Sequence, residues 1–194
     1  MKSTLYEQWE KIHGASSKPY IAMIDVETLG LYGPAVAFGI SVWQKNGFFK
    51  TERVHCVSEK VFKKMLSKTT TQDCNWFMEN VYLHLKDQFE ESSMSHYDFM
   101  EAAAMCIAAW INDADLWGDC IFPVETNFLS KLIADGHLKA NESPYPLYDL
   151  STLLNVNVSR AHFAGMVHAH IHDPGVDAYH SAAALFKETD FPIV

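Results

Sequence analysis

Residues 20–30 read YIAMIDVETLG, an apolar run that drives straight into two acids separated by one residue, Asp25 and Glu27. As a buried strand over residues 20–26, this stretch sends alternate side chains to opposite faces, so both carboxylates lie on one face at the strand's end. Acids placed that way are suited to sharing divalent cations. A matching stretch lies far downstream, HDPGVDAYHSAAALF at residues 172–186. There His172 and Asp177 introduce an apolar, Ala-rich segment that predicts a helix.

Working outward, residues 3–12 predict a short leading helix, broken by GASSKP before the first strand. AVAFGISVW (35–43) has the β-branched and apolar content of a second strand. Lys45, Asn46 and Gly47 form a turn, and FFKTERVHCV (48–57) returns as a third strand. Connections this short predict an antiparallel meander. From about residue 73 the texture is helical, in DCNWFMENVYLHLKDQF and then HYDFMEAAAMCIAAWIN. In the second, Phe99, Ala103, Cys106, Ile107 and Trp110 recur at helical spacing and predict a core face. ADLWGDCIF (114–122) predicts a buried strand, a helix follows from about Val124 to Ala134, and YPLYDL is the last strand, with further helix toward the C-terminus. Strands in a meander, then helices alternating with strands, predict an α/β fold with a mixed central sheet flanked by helices.

At 194 residues and 48% apolar content the chain has the means for one domain with a substantial core, spanning 1–194. No stretch approaches the roughly 20 apolar residues that span a bilayer, and MKSTLYEQWEKIHG has no apolar signal core, so no membrane association and a cytoplasmic location are expected. Cys56, Cys74, Cys106 and Cys120 lack Cys-x-x-Cys pairing and are expected to be reduced core thiols. The formal net charge of -9 disfavours a grip on long duplexes through broad phosphate neutralisation. Bound cations would offset part of it.

The two ends of the chain, Asp25-x-Glu27-Thr28 and His172-x-x-x-x-Asp177-Ala178, resemble the DEDDh (DnaQ-like) family of 3'-to-5' exonucleases, in the ribonuclease H-like superfamily. The resemblance covers about residues 18–190, with both motifs complete. It implies a ribonuclease H-like fold and two divalent cations, Mg or Mn. It also implies that Asp25 bridges both, that Glu27 and Asp177 hold them from either side, and that Thr28, Leu29 and Gly30 face the terminal nucleotide. Two such cations, about 4 Å apart, activate a water, steady the phosphorane and stabilise the leaving oxygen. His172 is then the general base, a role its ordinary pKa of about 6.5 suits. The implied partner is a single-stranded DNA or RNA 3' end or a short oligonucleotide, cyclic ones included. A monomer and a homodimer both stand as expectations.

The fourth acid departs from the family pattern. Where commoner members carry a His-Asn-x-x-Phe-Asp-like segment, this chain has WGDCIFPVETNFL, with Asp119 and Glu125 as candidates. Counting back from Leu129 puts Glu125 at the usual acidic position. Asp119 is preferred as the metal ligand because an acid in an apolar strand needs a partner to offset its burial, and Glu125 stands as its alternative. His168 and Asp173 repeat the five-residue spacing, but Pro174 follows, so this pair is read as a chance repeat. His168, His170 and His172 alternate, as in a zinc or nickel site, yet a loop carrying the base is the preferred reading. Tyr32, Phe38 and Tyr179 are candidates to stack a terminal base, with core packing as the competing role. The reading that competes with catalysis is a nuclease-like fold that binds nucleic acid or protein without cleaving.

Overall fold

The apolar strands assemble into one mixed five-stranded sheet in the order β3-β2-β1-β4-β5. The computed structural model describes residues 4–139, 141, 146–154 and 172–186. Strands β1 (Tyr20–Thr28), β2 (Ala35–Gln44) and β3 (Phe49–Cys56) form the antiparallel meander, and β4 (Ala114–Gly118) and β5 (Leu147–Asp149) extend it in parallel beyond β1. The chain is therefore α/β, with an open mixed sheet flanked by helices.

Strand alternation divides the core. Ala22, Ile24 and Val26 of β1 join a large cluster on one face, while Ile21 and Met23 join a smaller one on the other. The large cluster is closed by α2 (Glu59–Leu66), α3 (Thr71–Asn80), α4 (Tyr82–Glu91), α5 (His96–Trp110) and α6 (Val124–Ala134), which contribute Phe62, Phe77, Phe89, Phe99 and Phe128. The smaller is closed by α1 (Leu5–His13) through Tyr6 and Trp9, and by the C-terminal helix through Ala178, Ala182 and Leu185. Short α7 (Leu150–Leu154) follows β5, and α8 (Pro174–Phe186) is that C-terminal helix. Caps fix the helix starts: Thr4 with Glu7 and Ser95 with Asp98 form capping boxes on α1 and α5, and Thr70 caps α3.

Two glycines let α8 lie close against the sheet. A Cβ on Gly39 of β2 would come within 2.1 Å of the Pro174 carbonyl oxygen, and one on Gly175 within 2.3 Å of Val54. At the opposite end of β1 from the acids, Lys45 joins Asp115 at 3.0 Å and the Ser16 carbonyl at 3.0 Å, fastening the segment that leads into the strand.

The elements depart from expectation in three places. Helix α2 lies in a stretch to which the sequence reading assigned no element, although Ser58 precedes it and Glu59 occupies its first turn. The helical run at 73–89 is divided at Val81, whose φ of -115° ends α3 before α4 begins. Strand β4 stops at Gly118, so Asp119 and Cys120 lie in a bend rather than in a strand running to residue 122. The thiol reading holds for Cys56, which is buried; Cys74 and Cys106 are half-buried, and Cys120 is exposed. All four are free. Among the described residues no helix is long and apolar enough to cross a membrane.

Candidate carboxylate site

Asp25 and Glu27 continue the odd-numbered face of β1, the face on which Ile21 and Met23 pack. A bulge between Glu27 and Thr28 ends regular pairing with β2 there. The neighbouring strand supplies the next acids. Ile24 pairs with Gly118, so the chain leaves β4 beside Asp25 and turns through Asp119 into α6, whose first turn carries Glu125. Gly118 has no side chain to hold α6 away: a Cβ there would meet Glu125 Cγ at 3.6 Å and Ile121 at 2.8 Å.

From the far end of the sequence, α8 brings Asp177. Its carboxylate accepts the backbone N–H of His172 at 2.7 Å, which explains the five-residue spacing: the residue ahead of the helix folds back onto an acid in its first turn. His172 takes a positive φ of 74° in doing so, and its Nδ1 lies 3.2 Å from Glu27 Oε1. Ligand atoms of Glu27, His172 and Asp177 all lie within 4.8 Å of one another. Asp25, Glu27, Asp119, Glu125 and His172 line one cleft of about 560 Å³.

The electrostatics are those of acids crowded without enough positive charge. Burial pushes the Asp25 carboxyl well above its ordinary range, and Glu27, Asp177, Glu125 and Asp119 push it further. Burial, then Asp119 and Glu27, raise Glu125 to about 8 despite backbone N–H groups that favour its charged form. Burial raises Asp177 to about 7, opposed by the His172 amide. Glu27 is raised by burial and drawn back by His172, which is itself raised by its hydrogen bond to Glu27. Asp25 Oδ2 and Glu125 Oε2 are enclosed with no hydrogen-bond partner. Oxygens in that condition are costly unless protonated or bound to a cation.

The two candidates for the fourth acid both reach the cleft, in environments opposite to those expected. Glu125 is the buried one, 5% exposed. Asp119, preferred on the argument that a strand would bury it, sits half-buried in the bend, where its Oδ1 accepts Ser151 Oγ–H at 3.3 Å and its carbonyl accepts the Ser151 N–H at 2.7 Å. The burial argument therefore transfers to Glu125.

Of the three residues expected to face a nucleotide, Thr28 and Gly30 line the cleft, while Leu29 turns into the core. Phe38 is fully buried, and Tyr179 packs against Trp43 and Phe49, so both are core aromatics; Tyr32 is exposed. Asp173 is a helix cap: its Oδ1 accepts the N–H groups of Gly175 and Val176, and its Oδ2 accepts Gln88. His168 and His170 lie outside the described residues. Sequence reading missed Trp76, Gln72 and Asp73 of α3, and Leu31, which line the cleft as well. Trp76 meets the His172 ring edge-on with centroids 5.3 Å apart. Its signal was an exposed Trp on an amphipathic helix, which sequence alone does not separate from core.

No protein-family model and no curated protein matches the chain.

Proposed function

We propose that the chain is a metal-dependent 3'-to-5' exonuclease of the DEDDh type, releasing nucleoside 5'-monophosphates from single-stranded DNA or RNA or from short oligonucleotides. The observation that carries the reading is the convergence, from sequence positions about 150 residues apart, of buried acids around two oxygens with no partner, beside a histidine. Asp25, Glu27, Asp177 and Glu125 form an all-oxygen donor set of the kind Mg and Mn take, and a site that its own repulsion disfavours while empty of positive charge fits such ions. Asp119 borders the same site. The strand order β3-β2-β1-β4-β5 is compatible with a ribonuclease H-like fold.

When bound, divalent cations supply a nucleophile at neutral pH and charge to offset the transition state. The chain's own part is positional and acid–base. His172 donates Nδ1–H to Glu27, which leaves the Nε2 lone pair to take a proton from the attacking water. The water oxygen bonds to phosphorus as the P–O3' bond breaks, and the leaving O3' takes a proton from solvent, so that the departing strand keeps a 3'-hydroxyl. Trp76 and Asp177 hold His172 from two sides, ring and backbone. Action on single strands or small nucleic acids rather than long duplexes accords with the acidic balance of the chain.

The test is cleavage of 5'-labelled and 3'-labelled single-stranded DNA and RNA with Mg or Mn, with Asp25→Ala as control. Stepwise shortening from the 3' end, abolished in the variant, is expected. Absence of cleavage from every oligomer would transfer the reading to a binding module without catalysis.

A further inference from the structure

The carboxylate cleft does not end at its own rim. It shares Thr28, Leu31 and Val124 with a second cavity of about 250 Å³, which in turn shares Pro34 and His96 with a third of about 440 Å³. The three share walls in series, and their chemistry changes from one to the next. Acids line the first part; among the described residues, no acid lines the second or third.

The middle part is mostly apolar, the one lysine on its wall, Lys131, being engaged by Asp135, and the turn between β1 and β2 lines it. Leu31 and Tyr32 stand there 64% and 74% exposed, an unusual setting for two large apolar side chains in sequence. The turn that presents them is held by Leu29 N–H to the Pro34 carbonyl at 3.1 Å and Gly33 N–H to the Gly30 carbonyl at 2.9 Å. An exposed ring with an exposed leucine beside it, on a fixed turn next to a cleft, forms a platform on which a base stacks without regard to its identity.

The far part is basic. Of the 15 Lys and Arg residues in a chain of net charge -9, four fall in the nine residues 60–68. Two of these, Lys64 and Lys68, line the third cavity, are exposed, and have no ion-pair partner among the described residues. Lys63, by contrast, is engaged by Glu59. Unpaired ammonium groups in a net-acidic protein, at one end of a groove whose other end gathers carboxylates, match a polyanion lying lengthwise with its scissile end among the acids.

We propose that this groove holds the 5'-ward nucleotides of a single strand, with the base next to the scissile end on Leu31 and Tyr32 and upstream phosphates at Lys64 and Lys68. The inference rests on the exonuclease reading only for what occupies the carboxylate cleft. It makes a linear oligomer of several nucleotides the preferred substrate over a dinucleotide, which is too short to reach the lysines.

Two measurements on the full chain test it: anisotropy of a fluorescent 12-mer with metal-free protein, and kcat/KM with Mn for that 12-mer and for a dinucleotide. Compared are wild type, Lys64→Glu/Lys68→Glu, Tyr32→Ala, and a control, Lys11→Glu/Lys50→Glu, whose exposed lysines line none of the three cavities. The groove variant is expected to weaken 12-mer binding tenfold or more and to flatten the log–log salt dependence by about 1.4 for two phosphate contacts. Its dinucleotide turnover should stay within twofold of wild type, whereas Tyr32→Ala should lower 12-mer binding and dinucleotide kcat/KM together, since both lengths place a base on that ring. Equal losses in the Lys11/Lys50 control, wild-type protein that fails to bind the 12-mer, or equal turnover of both lengths would overturn the groove while leaving the exonuclease standing. Groove-dependent binding without any hydrolysis would retain the groove and remove the exonuclease.

Discussion

Glu125 and Asp119 reach the same cleft from two ends of one bend, in different surroundings. Glu125 is buried on the first turn of α6, with Oε2 enclosed and unpartnered. Asp119 is half-buried and engaged by Ser151. Glu125→Gln is therefore expected to lower kcat/KM for 3' trimming by a hundredfold or more and to weaken Mn binding by calorimetry. Asp119→Asn should cost less than tenfold. The reverse order of severity would return the fourth-ligand role to Asp119. Position relative to a strand end decided this assignment, and strand ends are the least legible part of a sequence. Asp25, Glu27, His172 and Asp177 needed no such decision, because each pair is fixed by spacing within a single element or its cap.

At the scale of the element, the placement of α8 depends on the missing side chain of Gly39. Gly39 pairs with Asp25 across β1 and β2, and its Cα faces the Pro174 carbonyl that opens α8. Gly39→Ala puts a methyl where backbone already stands. Overpacking of that kind costs about 1–3 kcal/mol, enough to lower Tm by roughly 3 °C or more in a domain of this size. Because α8 carries Asp177, the same variant should lose activity even at temperatures where it stays folded. Unchanged Tm and turnover would show that α8 has room to move without disturbing the acids. Helix α3 acts from the other side through Trp76. Trp76→Ala is expected to raise KM for oligomers about tenfold, the order of one lost base or ring contact, with Trp76→Phe restoring most of it. An effect on kcat alone, unrelieved by Phe, would instead mark Trp76 as a support for His172. Neither element was read at its functional value. The helical texture around residue 73 was visible, but the fact that its exposed Trp overlooks β1 comes from packing across the sheet.

For the whole molecule the clustered acids set a pH dependence. Burial and mutual repulsion hold Asp177 at about 7 and Glu125 at about 8 in the folded protein, above the ordinary carboxyl value of about 4. A group raised in this way binds its proton more tightly when folded. Its contribution to stability is fully present below about pH 4 and is lost as pH rises through the folded values. Metal-free protein should therefore lose Tm steadily between pH 5 and pH 8, at about 1.4 kcal/mol per pH unit for each such acid across its window. Mg or Mn favours the ionised acids, so the rise in Tm on adding either should be larger at pH 8 than at pH 6. Identical pH profiles with and without metal, read by calorimetry, would uncouple the cluster from both folding and cation binding.

What the sequence by itself determined was whatever short-range periodicity carries. The meander β1–β3, the helix from Val124 to Ala134, the shared face of Asp25 and Glu27, and the start of the C-terminal helix beside His172 all follow from alternation, helical repeat and turn residues within about ten positions. Tertiary structure alone decided the rest, because those features depend on contacts between residues far apart in the chain. It ended β4 at Gly118, buried Glu125 rather than Asp119, turned Leu29 into the core, and exposed Cys120. It also brought Trp76, Leu31, Lys64 and Lys68 to cavities that share walls with the carboxylate cleft or adjoin it. A side chain's burial is settled by what packs against it, and for these residues the partner lies on another element.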